Sequence, residues 1–278
     1  MPTKIPEKTS LYGWFLFICY YLLAIALMKI FVINLARSIE RRSRLEKRLA
    51  ELNIAAEFIK AVDGSALNKE ELTKHVRSLN YAFLCGEIGC ALSHQFIYRK
   101  MVEENIEKAL ILEDDVYLPH NLKDILKNIT IETYAPQVVL LSKVNRYLAH
   151  PARRVTDTHN LHRVHHATTT HSYIINKQAA RNLLDNLYPV WMVADKWALF
   201  EDYSWRVQAV VPAPIILNDN AINSTINESK DDNEHNHKKK IIWRQLMAQR
   251  PLKVKIKHRL RRALIPLFYK VINEKKKV

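Results

Sequence analysis

From Lys29 to Leu187 short apolar runs alternate with stretches in which leucines recur every three or four positions. The run IFVINL after Met28-Lys29 ends in a polar turn and predicts a buried strand over Lys29–Asn34. Ser38 then opens a helix with Glu40 and Arg41 in its first turn and Leu45, Leu49 and Leu52 on one face. Glu57–Val62 reads as a second strand, closed by the Asp63-Gly64 turn. The same reasoning predicts helices over Ser93–Glu104, Asn121–Ile129 and Lys177–Leu187, and strands over Lys108–Leu112, Gln137–Leu141 and Ser172–Ile175. Strand and helix alternate, so the expected class is α/β, a mainly parallel sheet covered by helices. In such sheets ligands bind beyond the carboxyl ends of the strands.

Both ends of the chain break this rhythm. Leu11–Leu27 is 17 residues without a charge, preceded by Lys4 and Lys8, long enough for a signal anchor or a marginal span. Either residues 1–27 anchor the protein, or Met28 is the natural start and the stretch before it is a translated leader. Lys29, Arg37, Arg41, Arg42 and Arg44 crowd the far side, so a spanning anchor would leave the folded part in the cytoplasm. At the other end Leu260, Leu264, Leu267, Phe268 and Val271 fall at helical spacing among Lys255, Lys257, Arg259, Arg261 and Arg262. That is the pattern of a helix lying on an anionic membrane.

Composition sharpens the division. The 278 residues carry a formal charge of +15, yet 15 basic residues and one acid fall within Lys238–Val278, leaving the remainder nearly neutral. A basic pI of about 9.7 therefore describes the end of the chain rather than a nucleic-acid-binding face on the fold. Three organisational units are expected: 1–27 as hydrophobic leader or anchor, 28–237 as one compact domain, and 238–278 as a basic amphipathic membrane-associating tail. Cys19, Cys85 and Cys90 make neither a disulfide framework nor a CxxC pair, and read as small buried thiols in a reducing compartment.

The chemistry gathers at the end of the strand ALILE, which runs into Glu113, Asp114 and Asp115. Three successive carboxylates repel one another. An exposed acidic turn is one explanation; the other is a divalent cation, since carboxylate oxygens suit Mg²⁺ or Mn²⁺ and such ions grip a diphosphate. Six of the twelve histidines, from His150 to His171, fall in a polar stretch without zinc-ligand spacing, which reads as a loop on the acceptor side.

Several segments together carry a resemblance: FVINLARSIERR at Phe31–Arg42, GEIGCALSH at Gly86–His94, LEDDV at Leu112–Val116, SYIINKQAARNLL at Ser172–Leu184 and VAD at Val193–Asp195. In this order they resemble glycosyltransferase family 25, which includes bacterial lipooligosaccharide galactosyltransferases and animal collagen galactosyltransferases. The resemblance covers Met28 to about Asn227. It implies a GT-A-type nucleotide-sugar-binding fold, a UDP-sugar donor, Mn²⁺ or Mg²⁺ held through Asp114 and Asp115, and inversion at the sugar carbon. Asn34 and Leu35 then sit where the nucleotide is received, with Arg37 and Arg41 towards the phosphates. His94 either orients donor or carboxylates or is a hydrogen-bonded core histidine. An inverting transfer needs one general base at the acceptor hydroxyl. Asp195 is the candidate, set among Trp191 and Trp197 where sugars stack, with Glu201 and Asp202 as rivals; Glu113 is a second candidate catalytic carboxylate.

The expectation is therefore a metal-dependent inverting transferase at the cytoplasmic face of the inner membrane. It would move a hexose, galactose first, from a UDP-sugar to a lipooligosaccharide or lipopolysaccharide acceptor. Another UDP-hexose or UDP-N-acetylhexosamine donor, or a non-catalytic membrane-associated binding protein, are the alternatives. Only the latter leaves the acidic strand end unexplained.

Overall fold

The computed structural model describes residues 28–201, 206–218 and 233–274. The leader expected over 1–27 lies outside them. No helix among the described residues is long and apolar enough to cross a membrane.

Among the described residues twelve strands and eight helices follow in the order β1 Lys29–Asn34, α1 Ile39–Glu51, β2 Glu57–Lys60, α2 Lys69–His75, α3 Cys85–Glu103, β3 Lys108–Glu113, β4 Val116–Tyr117, α4 Leu122–Lys127, β5 Gln137–Leu140, β6 Arg146–Leu148, β7 Arg153–Arg154, β8 Asn160–His166, β9 Ser172–Asn176, α5 Lys177–Leu187, α6 Trp197–Phe200, β10 Arg206–Val211, β11 Ile216–Leu217, α7 Asn233–Gln249, α8 Leu252–Phe268 and β12 Val271–Asn273. Ten strands form one sheet in the order β12-β6-β8-β10-β5-β9-β3-β1-β2, with β7 added to β8. Residues alternate between its faces, so Phe31, Ile33 and Ile111 enter one core with α3 and α5 while Val32, Leu110 and Leu112 enter the other with α1 and α4.

The architecture is mixed α/β with helices on both faces, consistent with a GT-A-like fold. Its parallel part is β3-β1-β2 together with the β5-β10 pair. β9 inserts antiparallel between β3 and β5, and β8 pairs antiparallel with β10, β6 and β7, as β12 does with β6. Local chemistry sets the element ends. Asn68 and Glu71 form a reciprocal capping box on α2. Asn176 ends β9 and caps α5 by accepting from Ala179 N–H at 2.8 Å, while its amide donates to the carbonyls of Glu132 and Ala135.

Two readings need correction. The histidine-rich stretch is not a loop throughout: residues 160–166 form β8, paired with β10 and β6, because Leu161, His162 and Val164 are buried and His162 Nδ1 meets the Leu148 carbonyl at 2.8 Å. Cys85 is exposed at the start of α3 rather than buried. The basic end of the chain also folds onto the domain. Leu246 of α7 joins the core, Ile265 of α8 is buried, and β12 pairs with β6 at the edge of the sheet.

Candidate active site

β1 and β3 run side by side in parallel, with Ile33 opposite Glu113. Their carboxyl ends therefore bring Asn34 and the Glu113-Asp114-Asp115 run to one edge of the sheet. On the other side of β3, Leu112 stands opposite Ser172 of β9, which sets Thr170 and His171 beside the carboxylates. Glu113 N–H donates to the His171 carbonyl at 2.9 Å, and the Thr170 hydroxyl donates to Glu113 Oε1 at 2.6 Å.

Ligand-capable atoms of Glu113, Asp115 and His171 all lie within 4.8 Å of one another. Asp115 Oδ1 is buried with no hydrogen-bond partner among the described residues. Such an orphaned oxygen is costly unless a cation satisfies it. Two carboxylates and an imidazole are a donor set that fits a divalent ion. Asp114 faces elsewhere: Asn34 Nδ2 donates to its Oδ2 at 2.7 Å and Arg41 Nη1 lies 3.4 Å from its Oδ1. The structure thus brings Asp115 into the ligand group together with Glu113 and His171, and sets Asp114 against Asn34 and Arg41.

The charges in this group are unequal. Burial pushes the Glu113 carboxyl up, but the His94 imidazole, the His171 charge and the Thr170 hydroxyl outweigh it and hold the group at about 2. Burial, reinforced by Glu113 and Asp114 against His171 and Arg41, pushes Asp115 up to about 6. One firmly anionic carboxylate beside a reluctant one is a site short of positive charge.

His94 is a buried core histidine, not a surface for nucleotide. Its Nδ1 meets the Tyr173 hydroxyl at 2.7 Å, which meets Tyr98 at 2.7 Å, and its Nε2 lies 3.4 Å from Glu113 Oε1. This chain of groups fixes Glu113 from behind. Cys90, His94 and Glu113 form a second group with metal-ligand potential, but burial first and the neighbouring carboxylates next hold the Cys90 thiol protonated. The oxygen-rich group is the better cation site.

The glycines of the GEIGCALSH segment have a packing role. A Cβ on Gly89 would lie 2.5 Å from the Val62 carbonyl oxygen, and one on Gly64 would lie 1.8 Å from the Cys85 carbonyl oxygen. Helix α3 therefore touches the Val62–Gly64 turn backbone to backbone, and Ser93 Oγ pins it by accepting from Val62 N–H at 2.8 Å. That turn carries Asp63, which pairs with the exposed Arg37. Leu35 closes the turn into α1, its carbonyl accepting from Ser38 N–H at 2.8 Å.

Asp195 lies in the turn before α6, and its Oδ1 is buried without a hydrogen-bond partner among the described residues. Burial pushes its carboxyl up against the opposing pull of Lys196, and the charges of Glu87 and Glu113 add to the rise. Asp195 and Glu113 both act on the Cys90 thiol, so the two candidate carboxylates share one neighbourhood. The aromatic setting differs from expectation. Trp197 is fully buried, packs on Tyr173 and Phe200, and donates from Nε1 to the Thr169 carbonyl at 2.7 Å; Trp191 is buried and donates to Asn186. Neither offers a face for a sugar. Glu201 is buried in an ion pair with Arg261 of α8, and Asp202 lies outside the described residues. His171 and Thr170 are the site residues that sequence reasoning did not single out.

The comparisons with known proteins agree with this geometry. The family model described as Glycosyltransferase family 25 (LPS biosynthesis protein) matches residues 27–198. The chain is 30% identical to procollagen galactosyltransferase 2 of Homo sapiens over 173 residues, 56% of this chain and 27% of that protein. It is 34% identical to a Drosophila melanogaster glycosyltransferase 25 family member over 203 residues, 67% of this chain and 31% of that protein. A 28% identity to procollagen galactosyltransferase 1 of Danio rerio covers 56% of this chain and 28% of that protein. The chain spans less than a third of the length of these curated relatives. The match covers β1 through α6, the segment that builds the carboxylate site, and the chain belongs to glycosyltransferase family 25.

Proposed function

We propose that this chain transfers a hexosyl group, galactosyl first, from a UDP-sugar to a hydroxyl of a lipid-linked oligosaccharide, with inversion at the sugar carbon. The observation that carries this reading is the convergence of Glu113, Asp115 and His171 at the carboxyl ends of β1 and β3, with the orphaned Asp115 oxygen among them. The names of the relatives, procollagen galactosyltransferases, support the sugar. The description of the family as LPS biosynthesis proteins supports the acceptor class.

Glu113, Asp115 and His171 would hold a divalent cation, which when bound neutralises charge on the departing diphosphate. Arg41, held through Asp114 to Asn34, presents a guanidinium at the same strand ends, where it binds and orients phosphate oxygens. Asp195 takes the proton of the acceptor hydroxyl. Its burial makes the carboxylate a stronger base than an exposed aspartate, and its unpartnered oxygen is free to accept. Glu113, held anionic at about 2, is a poor base and a good ligand.

A peripheral membrane location fits the outer face of α8. Leu252, Ile256, Leu260 and Leu264 recur every fourth residue on that face and are exposed, as are Leu267 and Phe268 beyond them. Part of the basic side is turned inward: Lys257 Nζ reaches the Glu201 carbonyl at 3.4 Å and Arg261 pairs with Glu201. The cytoplasmic face of the inner membrane is the location this reading implies.

The test is UDP release from a panel of UDP-hexoses and UDP-N-acetylhexosamines, with Mn²⁺ and with a chelator. Acceptor-dependent, Mn²⁺-dependent release with UDP-galactose is the expected result. No UDP binding by calorimetry in the presence of Mn²⁺ would overturn the reading.

A further inference from the structure

A cavity of about 850 Å³ opens where α7 and α8 fold back over the end of β8 and the start of α6. Among the described residues its walls carry eight Lys and Arg side chains and three histidines, and no carboxylate. From outside the wall Glu87 answers Lys239 and Glu201 answers Arg261. Arg146, Lys240, Arg244 and Arg262 make no ion pair among the described residues. Burial first, and then Arg261, Arg146 and Arg262, depress the charged form of His165; burial first, and then Lys196, Arg146 and Arg262, do the same to His166. The walls therefore repel one another across a concave space large enough for two or three sugar units. An anion seated inside relieves that repulsion.

The cavity adjoins the reacting end of the site. Lys196, which lines it, follows Asp195 directly in sequence; Tyr81, also in the wall, is raised by burial first and then by the charges of Glu87 and Asp195. Ala198 and Leu199 of the wall follow Trp197, whose indole is tied to Thr169 beside the Thr170 that bonds Glu113. The phosphate-orienting Arg41 does not line it. Asp195 does not itself line the cavity, so a group seated here lies against its neighbours Lys196 and Tyr81, on the Asp195 side of the site and away from the strand ends that receive the nucleotide.

We infer that this cavity is the acceptor subsite, and that it selects an oligosaccharide carrying phosphate or carboxylate groups next to the sugar that is glycosylated. The inference rests on the transferase reading above and deepens it: the acceptor is anionic, and α7 and α8, not only β1 through α6, choose it. Arginine is the residue type suited to such recognition because its planar fork pairs bidentately with both oxyanions.

The experiment uses the full chain and two probes, a phosphorylated core oligosaccharide freed of its lipid and the same glycan after phosphatase treatment. In titration calorimetry the phosphorylated glycan should bind at least tenfold more tightly. The double variant Arg146→Ala/Arg244→Ala should abolish that preference, and Arg146→Lys/Arg244→Lys should restore part of it. Neither arginine holds an ion pair among the described residues. UDP binding with Mn²⁺, measured on each preparation, reports the donor site separately. Equal affinity for the two glycans, or a phosphate preference that survives the alanine pair, overturns the subsite. A variant that loses binding to phosphatidylglycerol vesicles while keeping the glycan preference also overturns it, and assigns the cavity to lipid headgroups. Phosphate preference with no UDP binding supports an anionic-glycan cavity and overturns the transferase reading instead.

Discussion

Replacing Gly89 by alanine sets two effects of opposite sign against each other at one position. In an unconstrained helix interior the change gains about 1 kcal/mol, because alanine loses less backbone freedom on folding. Here the new Cβ would lie 2.5 Å from the Val62 carbonyl oxygen and 2.8 Å from the Gly64 amide nitrogen. Both neighbours are backbone, so no side chain can swing aside, and the turn must retreat by roughly 1 Å to restore ordinary contact. Overpacking of that kind costs about 1–3 kcal/mol. The retreat also strains the Val62 N–H to Ser93 Oγ bond, which spans the same joint. The clash wins, and Gly89→Ala should destabilise the protein by about 1–2 kcal/mol net, a fall in Tm of a few degrees for a chain of this size. Gly86 is the control, since it lies in the first turn of the same helix and is exposed. Gly86→Ala should be neutral or stabilising by up to about 1 kcal/mol. Chemical denaturation of the two variants beside the parent reads both signs. If Gly89→Ala is as stable as the parent, or if both variants shift together, the close approach of α3 to the turn is not what demands glycine.

Asp115→Asn should lower Mn²⁺ affinity at least tenfold and acceptor-dependent turnover with it. The same change should raise the melting temperature in chelator, because a neutral amide relieves the burial penalty and the repulsion from Glu113 that push this carboxyl up; unchanged Mn²⁺ binding would remove Asp115 from the ligand group. Asp195→Asn should leave UDP binding intact while kcat falls by about 10²–10⁴, the usual worth of a positioned base; normal kcat would pass that role to another carboxylate. Leu260→Glu with Leu264→Glu should move stability by no more than about 0.5 kcal/mol, since both are exposed, and should lower co-sedimentation with anionic vesicles several-fold. Equal co-sedimentation would end the membrane role of α8.

How much of this was legible in the sequence depended on how far apart the determinants lie. Strand β1 and helix α5 follow from local pattern, and the expected bounds, Lys29–Asn34 and Lys177–Leu187, are the observed ones. Helix α3 begins at Cys85, eight residues before the expected Ser93; glycine is a weak helix former, and Gly89 answers to a turn some 25 residues upstream that local pattern does not reveal. Strand β8 was hidden by its three histidines, of which His162 is buried against β6, a tertiary property. The acidic run announced itself because it is contiguous. His171 did not, since it reaches Glu113 only through the antiparallel pairing of β9 with β3.

The same distinction governs the charge. Composition places nearly all the excess positive charge after residue 237, and a local reading makes it a tail facing a membrane. The fold divides that helix differently. The apolar residues of α8 that periodicity marks as a membrane face do point outward, whereas Arg261 and Arg262 turn back to wall a cavity against β8 and α6. Burying arginine there costs desolvation, enough to pull the Arg261 guanidinium down to about 10. Glu201 offsets that cost at Arg261, and among the described residues the cavity wall itself contains no carboxylate. Arg146, Lys240, Arg244 and Arg262, gathered in that wall with no ion pair among the described residues, are an arrangement that stability alone would not favour, and the proposed anionic acceptor would stabilise it.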